Sequence, residues 1–176
     1  KVFYPDLKVE PITNGLSNYA KVSITADGRK ILSLRADETS NLFIANAENL
    51  NEQKQVTFGN QNSFGQSGLH WIDEHKILFS TQTEQNLADN LAVLNTEDNS
   101  KTTITSEKQN SFRVPVSNGK QIWFSTNKNG SSQIFQMDMN GKNIVQLTNG
   151  ADGQRQSPRI TNDSKYLFYV FRSKEG

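Results

Sequence analysis

The nearest approach to a catalytic motif in this chain is the run Gly-Gln-Ser-Gly-Leu from Gly65 to Leu69. A hydrolase nucleophile needs Gly-x-Ser-x-Gly on a sharp strand-to-helix turn, where backbone amides gather to hold an oxyanion. Here Leu69 replaces the closing glycine and a strand-like segment follows, so Ser67 is expected in a loop at the entrance to a repeat, without a catalytic role. His70, Asp73, Glu74 and His75 carry metal-ligating groups. His70 alternates with Trp71 along one strand and His75 falls in a turn, whereas a metal needs three or four converging ligands. The Asp-Met-Asn-Gly run from Asp138 opens like a calcium loop, lacks the acidic positions that should follow, and reads as a hairpin. No cofactor is expected.

The other candidates are binding residues. Ser23, His70 and Arg159 each precede a large apolar residue (Ile24, Trp71 and Ile160), and Arg113 lies nearby on a further copy of the same segment. If those segments line a central channel, the four side chains offer donors for a carboxylate or a peptide terminus. The plainer alternative is solvated polar residues in a wet channel. The runs Lys-Asn-Gly-Ser-Ser from Lys128 and Glu-Gln-Asn-Leu-Ala-Asp-Asn from Glu84 are expected as polar loops, which on a rigid scaffold often carry recognition.

A repeat positions these residues. An apolar residue followed by threonine recurs at Ile12-Thr13, Val56-Thr57, Ile104-Thr105 and Leu147-Thr148, with spacings of 44, 48 and 43 residues. That period predicts one four-stranded propeller blade per unit, because a single small sheet cannot bury its faces alone. The first segment of each unit carries an apolar anchor before a turn, at Ile24, Trp71, Val116 and Ile160. The second segments, from Lys30, Lys76, Gln121 and Tyr166, are nearly continuous apolar runs that suit a strand covered on both faces. The third begin at Asn41, Asn90 and Gln133, and the fourth end at the threonines. Asp27-Gly28, Asn118-Gly119 and Asn140-Gly141 favour tight hairpins. The segment from Ala45 has helix-forming composition, yet its place between third and fourth strands predicts a loop or a single helical turn.

The fold expected is therefore an all-β propeller of four-stranded antiparallel blades. Its full units would be 14–57, 58–105 and 106–148, with partial units 1–13 and 149–176. Residues 2–13 would supply third and fourth strands and residues 157–171 first and second strands, together one blade. This reads as a closed four-bladed ring, as an eight-bladed one if two copies join, or, preferred on usual blade numbers, as an arc of a six- or seven-bladed propeller. An open arc would associate with itself through its exposed blade faces.

Composition narrows the partners. With 19 basic and 18 acidic residues the net charge is +1, too little to draw nucleic acid or an anionic membrane surface. No run approaches the length and apolarity of a membrane span. Zero cysteines exclude disulfides, a thiol nucleophile and Cys-ligated zinc.

The segments from Ser111 to Gly150 and from Gln156 to Gly176 resemble the TolB-like propeller repeats of bacteria. Those repeats run as a Ser-Pro segment, an Asp-Gly turn, an apolar strand ending in serine, an Ile-aromatic strand, a second Asp-Gly turn and Leu-Thr. The resemblance spans nearly the whole chain and is weakest from Ser63 to Thr105, where Glu74-His75 stands in place of the turn glycine. The segments from Lys21 and Ser67 are also similar to extracytoplasmic propellers that follow winged-helix or serine/threonine kinase domains in bacterial regulators. The resemblance implies a non-catalytic platform for a protein or peptide partner, in a periplasmic or extracytoplasmic setting with a signalling role. It brings no catalytic residues. The rival expectation is the substrate-gating propeller of a prolyl-oligopeptidase-type serine peptidase, whose catalytic triad lies on a separate domain.

Overall fold

The computed structural model describes residues 2–3, 8–9, 18–36, 39–59, 62–83 and 86–174. The chain divides into two compact units, Lys1–Glu38 and Thr39–Gly176. In the first, β1 (Val2–Phe3) pairs antiparallel with β2 (Lys8–Val9), and β3 (Asn18–Ile24) with β4 (Ile31–Ala36).

The second unit begins with a ladder of β5 (Phe43–Ala45) and β6 (Gln53–Gln55), joined by a loop over the helix-prone segment from Ala45. A four-stranded sheet follows: β7 (Asn62–Trp71), β8 (Lys76–Thr83), β9 (Asn86–Asn95) and β10 (Lys101–Thr103). The next is built the same way from β11 (Phe112–Ser117), β12 (Gln121–Thr126), β13 (Gln133–Asp138) and β14 (Val145–Gln146). The chain's last ladder joins β15 (Gly153–Ile160) to β16 (Leu167–Ser173). All named strand pairs are antiparallel, neighbours in sequence are neighbours in each sheet, and no helix occurs among the described residues. The architecture is part of a β-propeller.

In β8 and β12 the apolar second strand is covered on both faces. Ile77 and Phe79 of β8 pack with Leu42, Val56 and Phe64, while Leu78 between them packs with Phe112, Ile122 and Phe124 of the next sheet. Period-two alternation thus sends one strand's side chains into two cores. Burying Leu78 and Phe79 completely, at 0% exposure, contributes about 1.5–3 kcal/mol each. The equivalent strand β16 leaves Phe168, Tyr169, Val170 and Phe171 exposed.

The recurring threonine is a clasp. The Thr105 hydroxyl accepts from the Leu91 amide at 2.9 Å and donates to Asn90 Oδ1 at 2.9 Å. Thr57 does the same with Leu42 and Asn41, and Thr148 with Ile134 and Gln133. Each clasp ties the chain two residues beyond a fourth strand to the third segment beside it and satisfies an amide that the short ladder leaves over. Ile12-Thr13 lies outside the described residues.

Aspartates close the hairpin turns. Asp73 takes the amides of His75 and Lys76 at 2.9 and 2.8 Å, which explains how that turn forms without glycine. The Asp138 turn is the hairpin its sequence implied, with the Lys142 amide on Oδ1. The Thr25 hydroxyl holds the Asp27 carboxyl below the usual carboxylate range, the His75 amide that of Asp73, Ser100 that of Asp98 and Thr161 that of Asp163. Because the folded state favours the charged form, this stabilisation is complete above the ordinary carboxylate pKa and is lost as pH falls through the lowered values. Carboxyl-carbon NMR titration should give midpoints below the ordinary aspartate value at all four; midpoints at or above it would refute the assignment.

Each first strand carries a bulge. The register shifts between Ala20 and Ser23 in β3, Phe64 and Leu69 in β7, Arg113 and Val116 in β11, and Gln156 and Arg159 in β15. Lys21, Val114 and Ser157 sit in these bulges at φ of 53°, 48° and 55°. A β-branched residue such as Val114 adopts positive φ only when its surroundings impose it.

Candidate functional site

The bulges and the sheets behind them assemble a polar site that no single segment of sequence announces. Its base is Asp89 on β9, whose side chain is 2% exposed. The Ser67 hydroxyl donates to Asp89 Oδ1 at 2.8 Å, Gln82 Nε2 donates to the same oxygen at 2.9 Å, and Arg113 Nε donates to Oδ2 at 2.7 Å. A buried carboxylate requires such partners to stay charged. The ion pair crosses from the β7–β10 sheet to the β11–β14 sheet, and the Arg113 side chain beyond it is 60% exposed.

Arg113 stands at the lip of a cleft of about 340 Å³. The cleft lies between β11–β12 and β15, with Asn127, Ser131, Gln154, Gln156 and Ser157 among its lining residues. The lining holds one cation, no carboxylate and no aromatic ring. Thr126 also lines it, and its Oγ1 is buried without a hydrogen-bond partner.

The residues singled out from sequence are placed as follows. By register His70 and Arg159 occupy the same rung of their strands, opposite Leu78 and Phe168. Ser23, exposed on β3 of the first unit, stands opposite Leu32 in the same way. On the third copy that rung belongs to Val116, opposite Trp123, so the anchor assigned there by sequence is shifted by one and Ser117 takes its place. A shorter turn before β12 causes the shift. Arg113 lies on the other side of its bulge, opposite Ser125. His70 Nε2 is 2.9 Å from the Ser117 carbonyl oxygen, a bond between neighbouring sheets. Arg159 is exposed and donates to the carbonyl of Pro158.

Two further expectations are corrected. Ser67 lies within β7, at its bulge, and not in a loop, because Ser80 Oγ accepts its amide and Asp89 its hydroxyl. Most of the run from Glu84 is likewise strand: Asn86–Asn90 open β9, and residues 84–85 fall outside the description. That misreading hid Asp89. The one sequence signal for it was an acidic residue directly before a third strand, read as loop composition. His75 pairs with Glu97 at 3.7 Å on the exposed side of a turn, and no cluster of three or more metal-ligating residues occurs among the described residues.

No protein-family model and no curated protein sequence matches the chain. Solved structures do. A chain described as a candidate TolB from Agrobacterium tumefaciens matches at TM-score 0.53 and 12% identity, over 91% of this chain and 72% of that one. TolB from Acinetobacter baumannii matches at 0.60 and 15%, over 91% of this chain. A prolyl endopeptidase structure matches at 0.61 and 13%, over 90% of this chain. This chain spans 39% of the Acinetobacter protein and 23% of the endopeptidase. At such identities the likeness carries the fold alone: these residues form part of a TolB-like β-propeller.

Proposed function

We propose that the chain is a non-catalytic propeller module that binds a peptide or a peptide-like segment of a protein partner. The observation that supports this is Arg113, anchored by buried Asp89 and left half open at the lip of a polar cleft. Anchoring one guanidinium nitrogen removes much of the ordering cost that a free arginine would meet on binding. The bacterial, extracytoplasmic and signalling setting implied by the repeats belongs to the same reading. Panning a displayed library of linear peptides against the chain should enrich binders that a Gln154→Ala, Gln156→Ala variant loses and that Lys142→Ala, on a remote hairpin, keeps. Absence of enrichment, or binders indifferent to the first variant, would refute it.

The rival reading, a substrate-filtering propeller of a serine peptidase, is favoured by the fold shared with the prolyl endopeptidase. Under it the chemistry lies elsewhere, since Ser67 is held by a carboxylate in a strand. A Gly-x-Ser-x-Gly serine with downstream Asp and His in the flanking reading frame would favour this rival.

A further inference from the structure

The chemistry of the cleft narrows what it can hold. Arginine has five N–H donors in a planar fork. Asp89 takes the one on Nε, and among the described residues no hydrogen bond occupies the Nη groups. Their geometry matches the two oxygens of a carboxylate. Gln156 Nε2 donates to Gln154 Oε1 at 2.8 Å, which fixes the Gln154 amide with its own nitrogen turned away from Gln156. Asn127 and Ser157 add polar groups to the same lining.

Charge and shape exclude other occupants. Asp89 already balances Arg113, so the site suits a singly charged group better than a dianionic phosphate. A sugar would find no aromatic face to stack on, and Val114 is the lone apolar side chain of the lining apart from the Thr126 methyl. We propose that the cleft between β11–β12 and β15 captures a peptide carboxylate, with the Arg113 Nη groups as the anion fork and Gln154 as a second donor. This rests on the peptide-binding reading above and adds the group recognised. A chain terminus and an aspartate side chain present the same carboxylate.

The test is an NMR and calorimetric titration of the chain with three probes: trialanine, trialanine amide, and N-acetyl-Ala-Asp-Ala amide. Trialanine or the aspartate peptide should bind saturably and shift the Arg113 Nε–H, Gln154 and Ser157 resonances, and whichever does so identifies the carboxylate's source. Trialanine amide should bind at least about tenfold more weakly, the loss expected for a charge-assisted pair. Arg113→Lys keeps a cation beside Asp89 and should weaken binding about tenfold. Exposed Gln154→Ala should weaken it about threefold without moving the thermal midpoint. Equal binding of amide and free acid would overturn the carboxylate assignment and leave peptide binding standing. Silence of the cleft resonances with all three probes would overturn both.

Discussion

Gly68→Ala is expected to cost about 4 kcal/mol of stability, a large share of the roughly 5–15 kcal/mol that holds a domain together. Gly68 lies in the β7 bulge at φ +132°, a region that L side chains rarely adopt. A Cβ there would sit 2.7 Å from the Val114 Cα and 3.0 Å from Pro115 Cδ. Both neighbours belong to the bulge of the adjoining sheet, and neither can retreat. Pro115 is fully buried, and Val114 is itself at positive φ. Backbone strain of about 1–3 kcal/mol and overpacking of about 1–3 kcal/mol therefore add. Gly119→Ala is the matched control: its φ is +81° but nothing lies within 4 Å of the added carbon. It should cost only about 1 kcal/mol. Urea denaturation of both variants measures the difference, and equal losses would show that the bulge contact is not tight.

Thr105→Val should cost about 2–3 kcal/mol, although it keeps side-chain shape and adds no bulk. The substitution strips the Leu91 amide of its acceptor and removes the hydroxyl that donates to Asn90, in a region where Leu91 is 0% and Asn90 5% exposed. A buried donor without a partner costs about 1–3 kcal/mol, more than the average worth of the hydrogen bond itself. Thr148→Val breaks the same clasp around Ile134 and Gln133, which are 0% and 3% exposed, and should cost about as much. Negligible loss at both positions would mean that the threonine acts through strand propensity, which valine preserves, and not through its hydrogen bonds.

These two sites differ in how far they can be read from sequence. Thr105 belongs to a periodic signature, and its partners follow from it: each clasp pairs the threonine with the Asn or Gln and the apolar residue that begin the third segment of the repeat, at Asn41-Leu42, Asn90-Leu91 and Gln133-Ile134. Short-range chemistry of this kind stays inside one repeat. The hairpin turns are equally local, and Asp73 shows why glycine was dispensable there. Gly68 gave no such signal, because its need for glycine comes from a neighbouring sheet 46 residues further along, at Val114.

The polar site follows the same division. Arg113 was legible as a donor near the inner strands, and Ser67 as a serine in a glycine-flanked run, but nothing in either segment pointed to the partner they share. Asp89 joins them, and Asp89 lay hidden in a run whose polar composition matched a loop. Apolar periodicity, turn residues and the threonine period are local and additive, so the amino-acid sequence alone determined the all-β class, the antiparallel order of successive strands and their hairpins. Which buried carboxylate meets which arginine, and which bulge position must be glycine, depend on contacts between sheets remote in sequence, and only packing those sheets together decided them.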